Sequence, residues 1–253
     1  MDDKDFMALL SEMECSRTHR PEETKENTLL LGDCLDLLKV VPNESIDLVL
    51  TDPPYNISRE NGFARLGRSG IDFGEWDKQF DLFGWLNELP RILTPNGSAV
   101  IFNDWKNIGE IAKYCESLGL VSKDFLRCVK SNPMPRNIDR RYVPDCECAV
   151  WITRAKAKWC FNRSAPTYQR PQYDFGTIAN RLHPTQKPVS LMEEIIRIHS
   201  NENEIVLDPF MGSGSTCVAA INTGRKYIGF EKEPTYFEIA KKRVDMAMKG
   251  ERG

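Results

Sequence analysis

Short runs of β-branched and leucine residues recur along the chain, separated by stretches whose apolar positions repeat every three or four residues. Residues 29–33 ("LLLGD") and 46–51 ("IDLVLT") read as buried strands, with "CLDLLKVV" at helical spacing between them. Residues 81–93 ("DLFGWLNELPRIL") predict an amphipathic helix broken near Pro90, "TPNG" a turn, and 98–103 ("SAVIFN") a further buried strand. A helix over about 105–118 leads through "SLGL" to a strand near 124–130, and 146–153 ("CECAVWIT") has strand character again. Residues 154–182 read as irregular. A helix at 188–200, opened by a proline, then precedes the strand "EIVLD", a glycine-rich turn, the helix "STCVAAINTG", the strand "KYIGFE" and a last helix "PTYFEIAKKRVDMAMK".

Strands and helices alternating at this length predict an α/β fold with a mostly parallel sheet covered on both faces. Residues 1–27 read as a flexible N-terminal arm, and 28–253 as a single domain. Two segments, 56–79 and 131–182, are longer than routine connections and are expected to be functional insertions.

Composition narrows the classes. The chain has 253 residues, 41% hydrophobic and 28% charged, and no apolar run approaches the ~20 needed to cross a bilayer. Its acidic, polar N-terminus is unlike a signal peptide, and eight cysteines without a regular frame fit a reducing cytoplasm better than a disulfide scaffold. Cys128, Cys146, Cys148 and Cys160 lack the C-x₂₋₄-C spacing of a zinc site, so no metal is expected. The net charge is −3, yet residues 123–170 hold eleven Lys/Arg against four Asp/Glu, a basic segment inside an acidic protein.

Two stretches carry chemistry. In "LVLTDPPYNIS" a buried strand ends in Asp52-Pro53-Pro54-Tyr55. The prolines cannot continue a sheet ladder, so the strand stops in a stiff turn at its carboxyl end, where open α/β sheets bind ligands. In "EIVLDPFMGSGSTCVAA" a strand ends at Asp208, and Gly212 and Gly214 let the backbone turn tightly, with Ser215 or Thr216 expected to cap the next helix. The third glycine of the dinucleotide fingerprint is replaced by Cys217. A second strand ends at Glu231, placed to accept hydrogen bonds from ribose hydroxyls. Together these indicate an adenosine-containing cofactor without a pyrophosphate.

"DPPY" with "DPFMGSGST" resembles the S-adenosyl-L-methionine-dependent amino-methyltransferases of DNA. The catalytic motif precedes the cofactor motif, which resembles the circularly permuted β group. "LGDCLDLL", "KSNPMPRN", "ECAVWI", "HPTQKP" and "YIGFEKEPTYFEIAKKR" follow the family's order over roughly residues 29–245. One departure is Cys128, where the family usually has tryptophan. The resemblance implies a Rossmann-like methyltransferase fold and methylation of adenine N6 in a flipped-out base, with DNA as partner. It leaves cytosine N4 as an alternative, although that group more often has serine in place of Asp52, and it leaves a catalytically idle nucleic-acid-binding module as another. A homodimer and a cognate restriction endonuclease are further partners it raises.

The roles follow from chemistry and resemblance together. An adenine amine is a poor nucleophile because its lone pair is conjugated into the ring. The Asp52 carboxylate and the Pro53 carbonyl would accept its two N–H bonds, Tyr55 would stack on the base, and Pro54 would stiffen the turn. By resemblance, Asp33 meets the cofactor adenine amine with Cys34 beside it, and Asp208 meets the methionine amine. His183, Thr185 and Lys187 hold the methionine carboxylate, while Asp52, Phe210, Gly212, Ser213, Gly214, Ser215, Thr216, Glu231 and Lys232 complete the cofactor set. Arg59, Arg65 and Arg68 are expected on a loop closing over the base. Lys130, Arg136, Arg140, Arg141, Arg163 and Arg170 are candidate DNA contacts in or beside the target-recognition segment, and Arg154 and Lys158 are expected to meet phosphates.

Overall fold

The computed structural model describes residues 26–55, 80–133, 139–140, 142–164, 166–176 and 186–250. Residues 1–25 of the expected 1–27 arm and the loop over 56–79 lie outside them.

Among the described residues, eight strands form one sheet: β1 (Thr28–Leu31), β2 (Ile46–Thr51), β3 (Leu93–Asn103), β4 (Leu120–Lys130), β5 (Cys146–Arg154), β6 (Gln172–Phe175), β7 (Ile205–Asp208) and β8 (Lys226–Glu231). Their order across the sheet is β1-β8-β7-β2-β3-β5-β4-β6. Only β5 runs against its neighbours β3 and β4, so the sheet is mostly parallel, as the alternation predicts.

Successive residues of a strand face opposite sides, and the core divides accordingly. Leu48, Leu50, Val100, Phe102 and Trp151 pack toward α4 (Val189–His199), α5 (Ser215–Asn222) and α6 (Pro234–Met248). Val49, Ala99, Ile101, Val150 and Leu207 pack toward α1 (Cys34–Leu37), α2 (Leu89–Ile92) and α3 (Trp105–Ser117). Both faces of the central strands are therefore covered, while the outer strand β4 keeps Phe125 and Arg127 exposed.

Two expectations are corrected and one is met. The segment 81–93 is broken near Pro90 as expected: Gly84–Glu88 forms a 3-10 turn and α2 starts afresh with Pro90 in its first turn, where the missing N–H costs nothing. "TPNG" does not end the chain's pairing with β2. Ile46 pairs with Leu93 and Leu48 with Ser98, so the turn bulges out within β3. Within the stretch expected to be irregular, β6 joins the sheet edge beside β4, with Tyr173 and Phe175 buried and Gln172 and Asp174 turned outward.

Candidate active site

Strands β2 and β7 are neighbours at the centre of the sheet. From β2 the chain moves to β3 on one side, and from β7 to β8 on the other. Such a switch point leaves a crevice beyond the strands' carboxyl ends. Both sequence-predicted turns leave the sheet there, and the Thr51 hydroxyl donates to Asp208 Oδ1 at 2.7 Å, tying the two strand ends together. The crevice opens into a cleft of about 580 Å³. It brings together Asp33, Cys34, Asp52, Pro53, Pro54, Tyr55, Lys187, Asp208, Phe210, Gly212, Ser213, Ser215, Thr216, Glu231 and Lys232. Its size is that of a small-molecule site.

The Asp52–Tyr55 turn is held from three directions. Tyr55 donates its hydroxyl to Asp52 Oδ1, and Lys187 Nζ donates to Asp52 Oδ2 at 2.5 Å. Lys187 also pairs with Glu147 Oε2 at 2.8 Å, and Lys130 pairs with Glu147 Oε1 at 2.9 Å. From α3, Asn107 Nδ2 donates to the Tyr55 carbonyl at 3.2 Å and to Asn103 Oδ1 at 2.8 Å. Pro53 is buried, so the turn's first peptide is fixed by packing as well. Burial alone would lower the pKa of Lys187, but the Asp52 and Glu147 carboxylates together raise it above its ordinary value. Burial opposes ionisation of Glu147 too, yet Lys187 and Lys130 hold its carboxyl down to about 2.

The other half of the cleft is built on β7, β8 and β1. Glu231 accepts from the Gly212 N–H at 2.9 Å and from the Glu233 N–H at 2.8 Å, which fixes its carboxylate across the glycine turn. Asp33 caps α1 through the Leu35 N–H at 3.0 Å and pairs with Lys232 at 2.9 Å. Burial opposes its ionisation, but these two bonds prevail and lower its pKa. Burial pushes the Cys34 thiol up to about 12, so it is a neutral wall of the cleft. Phe210 meets Phe80 and Trp85 edge to face at 5.2 and 5.3 Å. The expected cap of α5 is corrected. Gly214, at φ +81°, is itself the N-cap, with no side-chain capping bond, and a Cβ there would lie 3.0 Å from Ala240 Cβ. Ser215 and Thr216 are thereby left to other partners, Thr216 bonding to Asp208.

Asp208 is the test of fit for a cationic cofactor. It is 3% exposed, and its hydrogen-bond partners are the neutral Thr51, Thr216 and Phe210 N–H. Burial pushes it up to about 6 and the nearby Asp52 charge adds to the rise. A buried carboxyl without its own cation is suited to an incoming ammonium or sulfonium.

The basic residues separate. Lys130 is already paired with Glu147, and Arg140 is exposed between β4 and β5 at the cleft end of the sheet. Because β5 crosses the sheet antiparallel, Arg154 emerges at the opposite end, bonded to Glu44 at 2.6 Å and to the Leu93 carbonyl. Lys158 follows there, its N–H on Asn96. Both were expected to meet phosphates, and both lie at this end of the sheet, away from the cleft. Arg163 follows Asn162, which is bonded to the C-terminal end of α4, and Arg170 precedes β6. His183, Thr185, Arg59, Arg65, Arg68, Arg136 and Arg141 lie outside the described residues. Among the described residues there is no group of three or more His, Cys, Asp and Glu able to hold a metal, and no helix long and apolar enough to cross a membrane. Sequence reasoning missed Glu147, Asn107 and Phe80. An acid opening the otherwise apolar run "ECAVWI" was the available signal for the first.

Known proteins share this arrangement. The DNA methylase family matches residues 46–242. The chain is 34% identical over 245 residues to Type II methyltransferase M.HinfI of Haemophilus influenzae, covering 86% of this chain and 68% of that protein. It is 31% identical to Type II methyltransferase M2.LlaDCHI of Lactococcus lactis subsp. cremoris, covering 89% and 92% respectively. Among solved structures, the M1.HpyAVI–SAM complex superimposes with a TM-score of 0.72 at 40% identity, over 86% of this chain and 98% of that one. With its cleft at the switch point and residues 46–242 matched to the family, the chain belongs to the DNA methylase family, the S-adenosyl-L-methionine-dependent amino-methyltransferases of DNA.

Proposed function

We propose that this chain methylates the N6 amine of adenine at specific DNA sites. The observation that carries the reading is a carboxylate, Asp52, at the head of the stiff turn in the cleft, where a hydroxyl would offer weaker acceptor strength. Ionised carboxylate oxygens only accept, and each retains room for a second donor beside Tyr55 or Lys187. Asp52 and the Pro53 carbonyl accept the two amine N–H bonds, localising the nitrogen lone pair and steadying the positive charge that grows on it. The target nitrogen is unreachable in a duplex, so the base is extruded and Tyr55 stacks on it.

S-adenosyl-L-methionine supplies an activated methyl group. Glu231 holds the ribose hydroxyls, Asp33 the adenine amine, Asp208 the methionine amine, and Phe210 packs the adenine. Arg140 and neighbouring basic residues meet DNA at the cleft end of the sheet. The Type II names of the relatives support a restriction–modification setting in the cytoplasm, with a cognate endonuclease as system partner.

The test is methylome sequencing of DNA from a methylation-free host expressing the chain, with D52A beside it. N6-methyladenine in one sequence context, absent with D52A, is expected. N4-methylcytosine instead would overturn the substrate assignment, and a D52A protein with normal single-turnover rate would remove Asp52 from the chemistry.

A further inference from the structure

We infer that Glu147 is a positioning residue of this site, holding the Lys187 ammonium between two carboxylates so that Asp52 shares its cation and keeps acceptor strength for the substrate amine. The inference rests on the reading of Asp52 as the amine acceptor. An ammonium has three N–H donors. Lys187 directs them at Glu147 Oε2 (2.8 Å), Asp52 Oδ2 (2.5 Å) and the Tyr55 hydroxyl (3.5 Å). It is 5% exposed, so nearly all of its charge is answered by protein groups. Glu147 is fixed by the sheet, its neighbour Cys148 pairing with Asn103 of β3 and Glu147 itself with Cys128 of β4. Lys130 occupies its second oxygen. Asp52 and Glu147 against Lys130 and Lys187 leave this chain of groups neutral.

Among the described carboxylates, removing the Glu147 charge would leave Asp52 to answer Lys187. Asp52 would then hold its lysine more tightly and offer less to an amine. The groups facing Asp52 are Tyr55 on its own turn, Lys187 ahead of α4, Glu147 on β5 and Asp208 on β7, with Lys130 of β4 one step further. Burial raises Asp52, Lys187 opposes the rise, and the Glu147 charge adds to it. Loss of that charge therefore lowers the pH at which Asp52 titrates.

The experiment compares wild type, E147Q, E147D and D52N. Single-turnover methyl transfer is measured on unmethylated genomic DNA at saturating S-adenosyl-L-methionine, and Asp52 is titrated by carboxyl-¹³C aspartate NMR in the cofactor-free protein. E147Q is expected to lose roughly 10–100-fold in rate, with DNA and cofactor affinity little changed and the Asp52 midpoint displaced to lower pH. E147D, shorter but charged, should lie between E147Q and wild type with a midpoint near wild type. A merely structural role predicts the reverse order, because glutamine is the closer isostere. Wild-type rate and midpoint in E147Q, or E147Q faster than E147D, overturns the inference. Should E147Q fail to fold, an Asp52 midpoint displaced to lower pH in E147D, whose charge is kept, overturns it. Full activity in D52N would instead sink the reading of Asp52, which is a separate result.

Discussion

Asp208→Asn should raise the stability of the cofactor-free protein while weakening its hold on cofactor. The buried carboxyl is pushed from 3.8 to about 6, chiefly by burial, and that rise corresponds to about 3 kcal/mol against the ionised form. An acid whose pKa is raised on folding binds extra protons in the folded state between those two values. Stability therefore falls as pH rises from 3.8 through about 6, and the full cost is present at pH 7.5. Asparagine keeps the Oδ1 acceptor for Thr51 and the Phe210 N–H, and the Thr216 hydroxyl can rotate to accept from the new amide. D208N is thus expected to gain up to about 3 kcal/mol at pH 7.5, at roughly 2–4 °C of Tm per kcal/mol for a chain of this size. The gain should shrink to about 0.5 kcal/mol by pH 4 and vanish below pH 3.8.

Cofactor binding should move the opposite way. An ammonium selects the ionised carboxylate, so with a titration near 6 the wild-type affinity should fall roughly tenfold between pH 7.5 and pH 5. Calorimetric titration with S-adenosyl-L-methionine measures this, and thermal melts across the same range measure the stability arm. D208N should bind more weakly at pH 7.5 and show a flatter dependence. A wild-type affinity that is flat over that range, or a D208N Tm no higher at pH 7.5 than wild type, would refute the reasoning. The two arms are independent, since the melts need no cofactor.

Three shorter expectations follow from the same geometry. Glu231→Ala should weaken cofactor binding by about 1.5–3 kcal/mol, the worth of a charged hydrogen bond, and leave DNA affinity in gel-shift titrations nearly unchanged. Gly229→Ala would set a Cβ 2.5 Å from Met211 Sδ and 2.7 Å from Cys217 Sγ, costing about 1–3 kcal/mol by urea denaturation and loosening cofactor binding through the Met211 turn. Arg140→Ala should weaken DNA binding and lower its salt dependence, whereas Arg154→Ala, which breaks the Glu44 pair at the other end of the sheet, should leave both unchanged.

The strands and both functional turns were legible because each is a local pattern: an apolar run of strand length ending in residues that cannot continue a ladder. β2 and β7 needed no tertiary information to be placed. β6 was not legible, since two inward aromatics in a stretch of this length give too little alternation to separate a strand from a loop. The break in 81–93 was legible because Pro90 has no N–H to continue a helix and fits only the first turn of a new one. For the basic segment, charge was readable but direction was not. Whether β5 runs with or against β3 decides which residues reach the cleft, and no residue within β5 encodes that choice. Its antiparallel course puts Glu147 at the cleft and Arg154 at the far end.

That same choice of direction alters the allocation of cations within the cleft. Read from the motif, Lys187 is the obvious counter-charge for the methionine carboxylate. In the fold its ammonium already faces Asp52 and Glu147, and Lys130 is needed to balance the second of these. The lysine is therefore bound first to the catalytic turn, and any contact with a cofactor carboxylate competes with two closer ones. On the neighbouring strand Asp208 has neutral hydrogen-bond partners among the described residues, and its charge and that of Asp52 repel across the switch point. Asp52 is thus supplied with a cation by the protein, whereas Asp208 has none among the described residues. The division follows the sheet. The catalytic-motif half built on β2, β4 and β5 carries its own charge balance, whereas the strand end of β7 carries a buried carboxyl suited to an incoming cation.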